Sequence, residues 1–231
     1  MQERESGTAL VIGGTSGLGL ELATLLHSKN NFGVYVTGRE KPENEQIKFI
    51  HLNIGPDTNL LPSRINNIIS DLPQTDLLVY AAGFYQEGSM KQLTDEDITK
   101  MVNVGLVAPM LILNRILNRQ NKLPGVMAIT STSQWTPRID EPIYTAVKAG
   151  FGMFANSLSL DPQVGKVLVA GPAGMKTNFW LETEKDTSNM LEPAWVAKQI
   201  YQLYFEDNFK YKCVRILREP PRIEILENRI A

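Results

Sequence analysis

The sequence predicts an α/β protein: one doubly wound domain whose parallel sheet of about seven strands, in the order 3-2-1-4-5-6-7, carries helices on both faces. Three observations predict it. Short apolar runs rich in β-branched residues alternate with stretches of helical periodicity along the chain, the pattern of a parallel sheet covered on both sides. The first run passes straight into a glycine-rich turn and then a helix, which sets that strand beside the point where the strand order reverses. The 231 residues contain no repeat, low-complexity tract or composition break, as expected for a single domain over residues 1–231.

Composition narrows the classes. The net charge of −2 gives no electrostatic case for nucleic acid or an anionic membrane. No apolar run approaches the roughly 20 residues of a membrane span, and residues 1–6 lack the apolar stretch of a secretory signal. The single cysteine, Cys213, reads as a buried thiol, and a reducing cytoplasm is the expected compartment. With His27 and His51 far apart, no transition-metal site is expected.

Residues 8–12 read as the first buried strand. Gly13, Gly14, Thr15, Ser16, Gly17, Leu18 and Gly19 follow, and Leu18, Leu22, Leu25 and Leu26 then recur at helical spacing as far as Asn30 and Asn31. Glycines there permit a tight turn and the close approach of a pyrophosphate, and the helix N-terminus supplies free N–H groups and a favourable dipole. Gly13, Thr15, Ser16, Gly17, Leu18 and Gly19 are therefore candidate dinucleotide contacts, although a plain strand-to-helix turn also uses glycines. The second strand covers residues 32–37, and its end is where such a fold meets the adenosine ribose. No acidic residue stands at Thr37 or Gly38, and Arg39 follows; its guanidinium matches a phosphate. That favours NADP(H) and leaves NAD(H) possible, the alternative being a solvent-facing loop arginine. After residues 42–46, too few and too polar for a full helix, residues 47–52 read as the third strand. Asn53 and Ile54 fall where an adenine ring would lie, and a helix near 60–70 carries Ile65, Ile68 and Ile69.

The fourth strand begins at Asp76 and ends at Ala81, Ala82 and Gly83, small enough to let a ligand pass the backbone. Thr94 before Asp95, Glu96 and Asp97 is a helix start. The long apolar helix that follows, to about Arg119, contains Pro109, which denies the Gly105 carbonyl its partner and should kink it. Asn103 lies just before that disturbance, and its amide needs partners. The fifth strand, 125–130, ends in Ser131, Thr132 and Ser133, then Gln134 and Trp135. Hydroxyls at a strand's carboxyl end sit where open α/β sheets bind ligands, and they also serve ordinary turns. A sixth strand at 166–170 leads to Pro172 and Thr177. Residues 175–192 are irregular and form a possible substrate lid. A helix from Pro193 and a last strand over 211–217 follow; the polar tail from Pro220 receives no element.

Pro142, Tyr144 and Lys148 read as the first turns of a helix, with proline at its start and Asp140 or Glu141 as cap. Spaced by four, Tyr144 and Lys148 share one face. A cation beside a phenol lowers its pKa from about 10 and makes it a usable acid or base near neutrality. In isolation the pair reads first as a packed tyrosine beside a solvated lysine, and only the rest of the chain turns it toward chemistry.

Taken in order, these signals resemble the short-chain dehydrogenase/reductase family in its compact, non-extended branch, over nearly the whole chain, and imply a Rossmann-type domain. The glycine motif runs from Ile12 and Gly13 to Gly17 and Gly19; the Asn-Asn-Ala-Gly element is Tyr80, Ala81, Ala82 and Gly83; Tyr-x-x-x-Lys is Tyr144 and Lys148; Pro-Gly-x-x-x-Thr is Pro172, Ala173 and Thr177. Asn103 matches the helical asparagine and Ser131 the strand-end serine, with Ser133 second. Ile12, Tyr80, Ala81, Asn53 and Ala173 depart from the family pattern, and one peripheral helix is missing after the second strand. The resemblance implies hydride transfer between NADP(H) and a carbonyl or alcohol. Tyr144 would move the proton, Lys148 tune it and bind the nicotinamide ribose, Ser131 polarise the carbonyl, and Asn103 hold a water linking Lys148 to solvent. Pro172 and Thr177 would meet the carboxamide. Phe84, Tyr85, Trp135, Phe179 and Trp180 all follow strand ends and would wall an apolar pocket for a bulky carbonyl. The competing reading is a redox sensor that binds NADP(H) on the same fold; a homodimer or homotetramer built on the two long helices is expected.

Overall fold

The computed structural model describes residues 5–181 and 183–230. Its one sheet has eight strands in the order β3-β2-β1-β4-β5-β6-β7-β8. They are β1 (Thr8–Ile12), β2 (Gly33–Gly38), β3 (Lys48–His51), β4 (Leu77–Tyr80), β5 (Leu123–Ile129), β6 (Val164–Pro172), β7 (Tyr211–Arg218) and β8 (Pro221–Arg229). The first seven run parallel and in the expected order. Six α-helices accompany them: α1 (Gly17–Asn30), α2 (Leu61–Asp71), α3 (Asp95–Val102), α4 (Ala108–Gln120), α5 (Pro142–Leu158) and α6 (Pro193–Phe205).

The two-residue period of the strands divides the core. Ala9, Val11, Leu77, Val79, Met127 and Ile129 point to one layer with Leu22 and Leu26 of α1 and Ile200 of α6. Leu10, Ile12, Leu78, Tyr80, Val126 and Ala128 point to the other, against Ile65 of α2, Ile112 of α4 and Phe151 of α5. Both faces are thus apolar, which is why these strands read as unbroken apolar runs.

Three expectations are corrected. The tail from Pro220 is a strand: β8 pairs antiparallel with β7. It looked polar because it is the sheet edge, where charge discourages further pairing. Its stability comes from cross-strand pairs. Arg215 stands opposite Glu224 with a 2.8 Å ion pair, and the Arg229 guanidinium lies 4.3 Å over the Tyr211 ring opposite it. The second correction concerns the long helix. Thr94 and Asp97 form the reciprocal capping box at its start, but the disturbance ahead of Pro109 is a π-helical segment, Asn103–Val107. Ala108 N–H bonds to the Asn103 carbonyl and Pro109 has no N–H, so the Val104 carbonyl loses its helical donor. The buried Tyr80 hydroxyl donates to it instead. The whole run Asp95–Gln120, 26 residues, is long and apolar enough to cross a membrane by length and composition, contrary to the expectation from the sequence; half of its most apolar window is buried in the fold.

Candidate active site

The glycine turn lies flat against the exit of β4. Gly13 has φ +76°, and a Cβ there would come within 2.6 Å of the Ala82 Cα; a Cβ at Gly19 would lie 2.1 Å from the Gly13 carbonyl oxygen. Only glycine fits either place. Ser16 is the N-cap of α1 and makes no side-chain capping bond, so the first N–H groups of the helix remain available to an anion. Thr15 packs on Gly38, where a Cβ would lie 2.2 Å from its Oγ1, and the exposed Arg39 comes next. Leu18 is buried and offers the site its backbone alone. Thr177 meets the turn from the far side: a Cβ at Gly17 would lie 3.2 Å from its Cγ2. Pro172 closes β6, and exposed Asn53 and half-buried Ile54 follow β3 at the same edge of the sheet. This cradle, with backbone pressed on backbone and an uncapped helix start, fits the pyrophosphate of a dinucleotide.

Tyr144 and Lys148 enter from α5, which begins at Pro142 as its pattern requires. Both are buried, 9% and 7% exposed. The Lys148 ammonium lies 5.7 Å from the Tyr144 ring centre and donates to the Ile129 carbonyl at 3.3 Å. A Cβ at Gly83 would lie 3.5 Å from its Nζ, so the small turn after β4 borders this lysine. Ser131 caps the 3-10 turn Thr132–Gln134, its Oγ accepting from Ser133 N–H at 3.1 Å. The Ser133 side chain is buried, 4% exposed. The Asn103 amide donates to the carbonyls of Gly55 at 3.0 Å and Pro56 at 3.1 Å, while its Oδ1 accepts from Thr58 at 3.2 Å. Its side chain therefore fastens the loop after β3.

Burial dominates the electrostatics. It pushes the Tyr144 phenol up to about 12; the Ser131 hydroxyl acts against this as a hydrogen-bond partner, Glu141 and Tyr85 add to the rise, and the Arg138 charge opposes it. Burial likewise pulls Lys148 down to about 8. The lowering of the Tyr144 pKa expected from the sequence is thus reversed in the protein alone, because desolvation penalises phenolate and ammonium together.

Three aromatics gather over Tyr144. Tyr85 stands 6.4 Å and Phe179 6.2 Å from its ring, and Trp180 lies 4.9 Å from Tyr85. Phe84 packs behind Tyr144 beside Met101 and Val147. Trp135 does not join them: it presses on β6, where a Cβ at Gly171 would lie 2.5 Å from its ring, with Arg215 on its face. The pocket wall expected from five aromatics therefore has three at its centre.

Lys185 ties the 175–192 segment down. Its ammonium lies 3.3 Å from Glu141 and 3.4 Å from Glu87 and donates to the Tyr85 hydroxyl, which itself donates to Glu141 at 3.0 Å. Sequence reasoning missed this network and expected Asp140 or Glu141 as a helix cap. Glu141 holds the cap position and makes no capping bond. No local pattern joins residues 44 positions apart; only the fold does.

Comparison with known proteins shows the family and the fold. The family model described as short chain dehydrogenase matches residues 7–188. A 3-oxoacyl-[acyl-carrier-protein] reductase of Rickettsia felis is 26% identical over 163 residues, 67% of this chain and 66% of that protein. A short chain dehydrogenase family protein from Francisella tularensis superposes with a TM-score of 0.78 at 18% identity, covering 91% of this chain and 96% of its own. The closed form of a serine dehydrogenase complexed with NADP+ does so with a TM-score of 0.75 at 20% identity, covering 88% and 92%.

Proposed function

This chain belongs to the short-chain dehydrogenase family, and from that premise we propose that it is an NADP(H)-dependent oxidoreductase interconverting a carbonyl and an alcohol. The observation that carries the reading is the buried pairing of Tyr144 and Lys148 beside Ser131, at the edge of the glycine cradle. The nicotinamide supplies or accepts the hydride. Gly13, Thr15, Ser16, Gly17, Leu18 and Gly19 hold the pyrophosphate, Arg39 the 2′-phosphate, and Asn53 and Ile54 the adenine. Ala81, Ala82 and Gly83 line the ribose side, and Pro172 and Thr177 meet the carboxamide. Lys148 binds the nicotinamide ribose. Ser131 donates to the carbonyl oxygen as negative charge grows there. Tyr144 gives that oxygen its proton in reduction and takes it back in oxidation. Asn103 holds a water that links Lys148 to solvent, and its side chain fastens the loop after β3.

Residues 175–192 act as the lid over this site, latched by Lys185, with Tyr85, Phe179 and Trp180 forming an apolar wall for a bulky carbonyl. The helical faces over 104–117 and 147–160, which expose Met110, Met153 and Leu160, carry a homodimer or homotetramer contact. A cytoplasmic setting and a small-molecule substrate complete the reading. Titration with NADPH and NADH, followed by NADPH oxidation against a carbonyl panel, tests it. Tight NADPH binding with turnover of aryl or alicyclic ketones is expected. NADPH binding without turnover across the panel would favour the sensor, and small keto acids outperforming bulky ketones would remove the apolar pocket.

A further inference from the structure

A cavity of about 260 Å³ lies at the carboxyl end of the sheet, between the turn after β5 and the β7–β8 hairpin. Arg138, Arg215, Arg218 and Arg222 line it together with Thr132, Ala173 and the Glu219 carboxylate. Two carboxylates answer these four guanidiniums. Glu224 takes Arg215 at 2.8 Å and Arg222 at 3.1 Å, and Glu219 takes Arg218 at 3.4 Å. Arg138 bonds to a neutral partner, the Thr132 hydroxyl at 3.3 Å. Excess positive charge therefore lines one small volume, and a guanidinium fork matches the paired oxygens of a carboxylate or phosphate.

We propose that this cavity is an oxyanion site that receives a carboxylate or phosphate carried by the substrate at a distance from its reacting carbonyl. The assignment rests on the reductase reading and extends it to substrate class. Position supports it: the cavity is lined by Thr132 and Ala173, the neighbours in sequence of Ser131 and Pro172, so it lies on the side of the sheet where the carbonyl-polarising serine sits. Size supports it as well. The volume falls below the roughly 300–1,000 Å³ that encloses a whole drug-sized ligand, and suits a terminus. The charge on Arg138 is also felt at the Tyr144 phenol. The substrate is then a ketone or alcohol with an apolar body toward Tyr85 and Phe179 and an anionic end toward the arginines.

The test uses two arms on the full chain. Calorimetric titration with sodium phosphate and with 7-oxooctanoate reads binding directly. Turnover with NADPH then compares kcat/KM for 7-oxooctanoate and its uncharged amide. Saturable binding of both anions is expected, with the acid preferred over the amide by about tenfold or more. In Arg138→Gln the affinity for phosphate should fall by about tenfold and the acid-to-amide ratio approach one, with part of the loss recovered in Arg138→Lys. Arg222→Gln, checked for an intact fold by its thermal melt, should act in the same direction. Absence of saturable anion binding, or equal binding in wild type and both glutamine variants, overturns the site and leaves the arginines as braces of the hairpin. Phosphate binding with no preference for the acid overturns the substrate assignment in favour of a free anion. Anion binding that depends on Arg138, with no turnover of either ketone, upholds the site and counts against the reductase reading alone.

Discussion

The Glu141 carboxylate lies 3.3 Å from the Lys185 ammonium, joining the residue that opens α5 to the segment folded over Tyr144. Glu141 is nearly enclosed, with 12% of its side chain exposed against 34% for Lys185, so the pair is only partly screened by solvent. Lys185→Met leaves the carboxylate without its cation and loosens the lid. KM should rise by about tenfold with kcat changed less than about twofold, and a double-mutant cycle with Glu141→Gln should give a coupling of about 1 kcal/mol. Steady-state kinetics at low and high salt check this: added salt should raise the wild-type KM and leave that of the variant unchanged.

Arg39→Ala removes the cation assigned to the 2′-phosphate. NADPH affinity should fall by roughly tenfold to a hundredfold while NADH affinity stays within about twofold, since a lost charged hydrogen-bond pair is worth about 1.5–3 kcal/mol. Fluorescence titration of the two reduced cofactors reads the ratio.

Lys148 carries a stability cost with a defined pH window. Its pKa in the fold is about 8, below the ordinary 10.5, because it is buried. The unfolded chain therefore holds the proton more strongly between those values, so the cost is full below pH 8 and fades as pH rises toward 10.5. The shift corresponds to roughly 3 kcal/mol, against about 1 kcal/mol for the hydrogen bond to the Ile129 carbonyl. Lys148→Met should accordingly stabilise the cofactor-free protein by about 2 kcal/mol at pH 7, with the gain shrinking above pH 8. Urea unfolding at pH 7, 9 and 10 measures it.

Tyr80→Phe removes the donor that satisfies the Val104 carbonyl in the π segment. A buried acceptor left bare costs about 1–3 kcal/mol, so the urea midpoint should fall by that equivalent. Because Asn103 begins the same segment, the variant should also loosen the 53–58 loop, readable as faster amide exchange there.

The parallel sheet and its order were legible because the central strands are buried on both faces and most connections are helices with a readable start, such as Thr94 or Pro142. The edge strand β8 was not: its apolar and charged residues alternate on an exposed edge, a pattern shared with polar loops. At the site, the spacing of Tyr144 and Lys148 is local and was readable. The Lys185 latch, the Tyr80 bond to Val104 and the arginine cavity each join residues far apart in the chain, so nothing local announces them. Burial was the other blind spot, since the desolvation that moves Tyr144 and Lys148 in opposite directions depends on what packs around α5.

The most direct measurement is Tyr144→Phe, assayed for NADPH binding and for carbonyl reduction side by side. A lost proton donor should lower kcat/KM by about 10²–10⁴-fold, with NADPH affinity kept within about twofold. Turnover that survives the substitution would contradict the role given to Tyr144 and the account built around it.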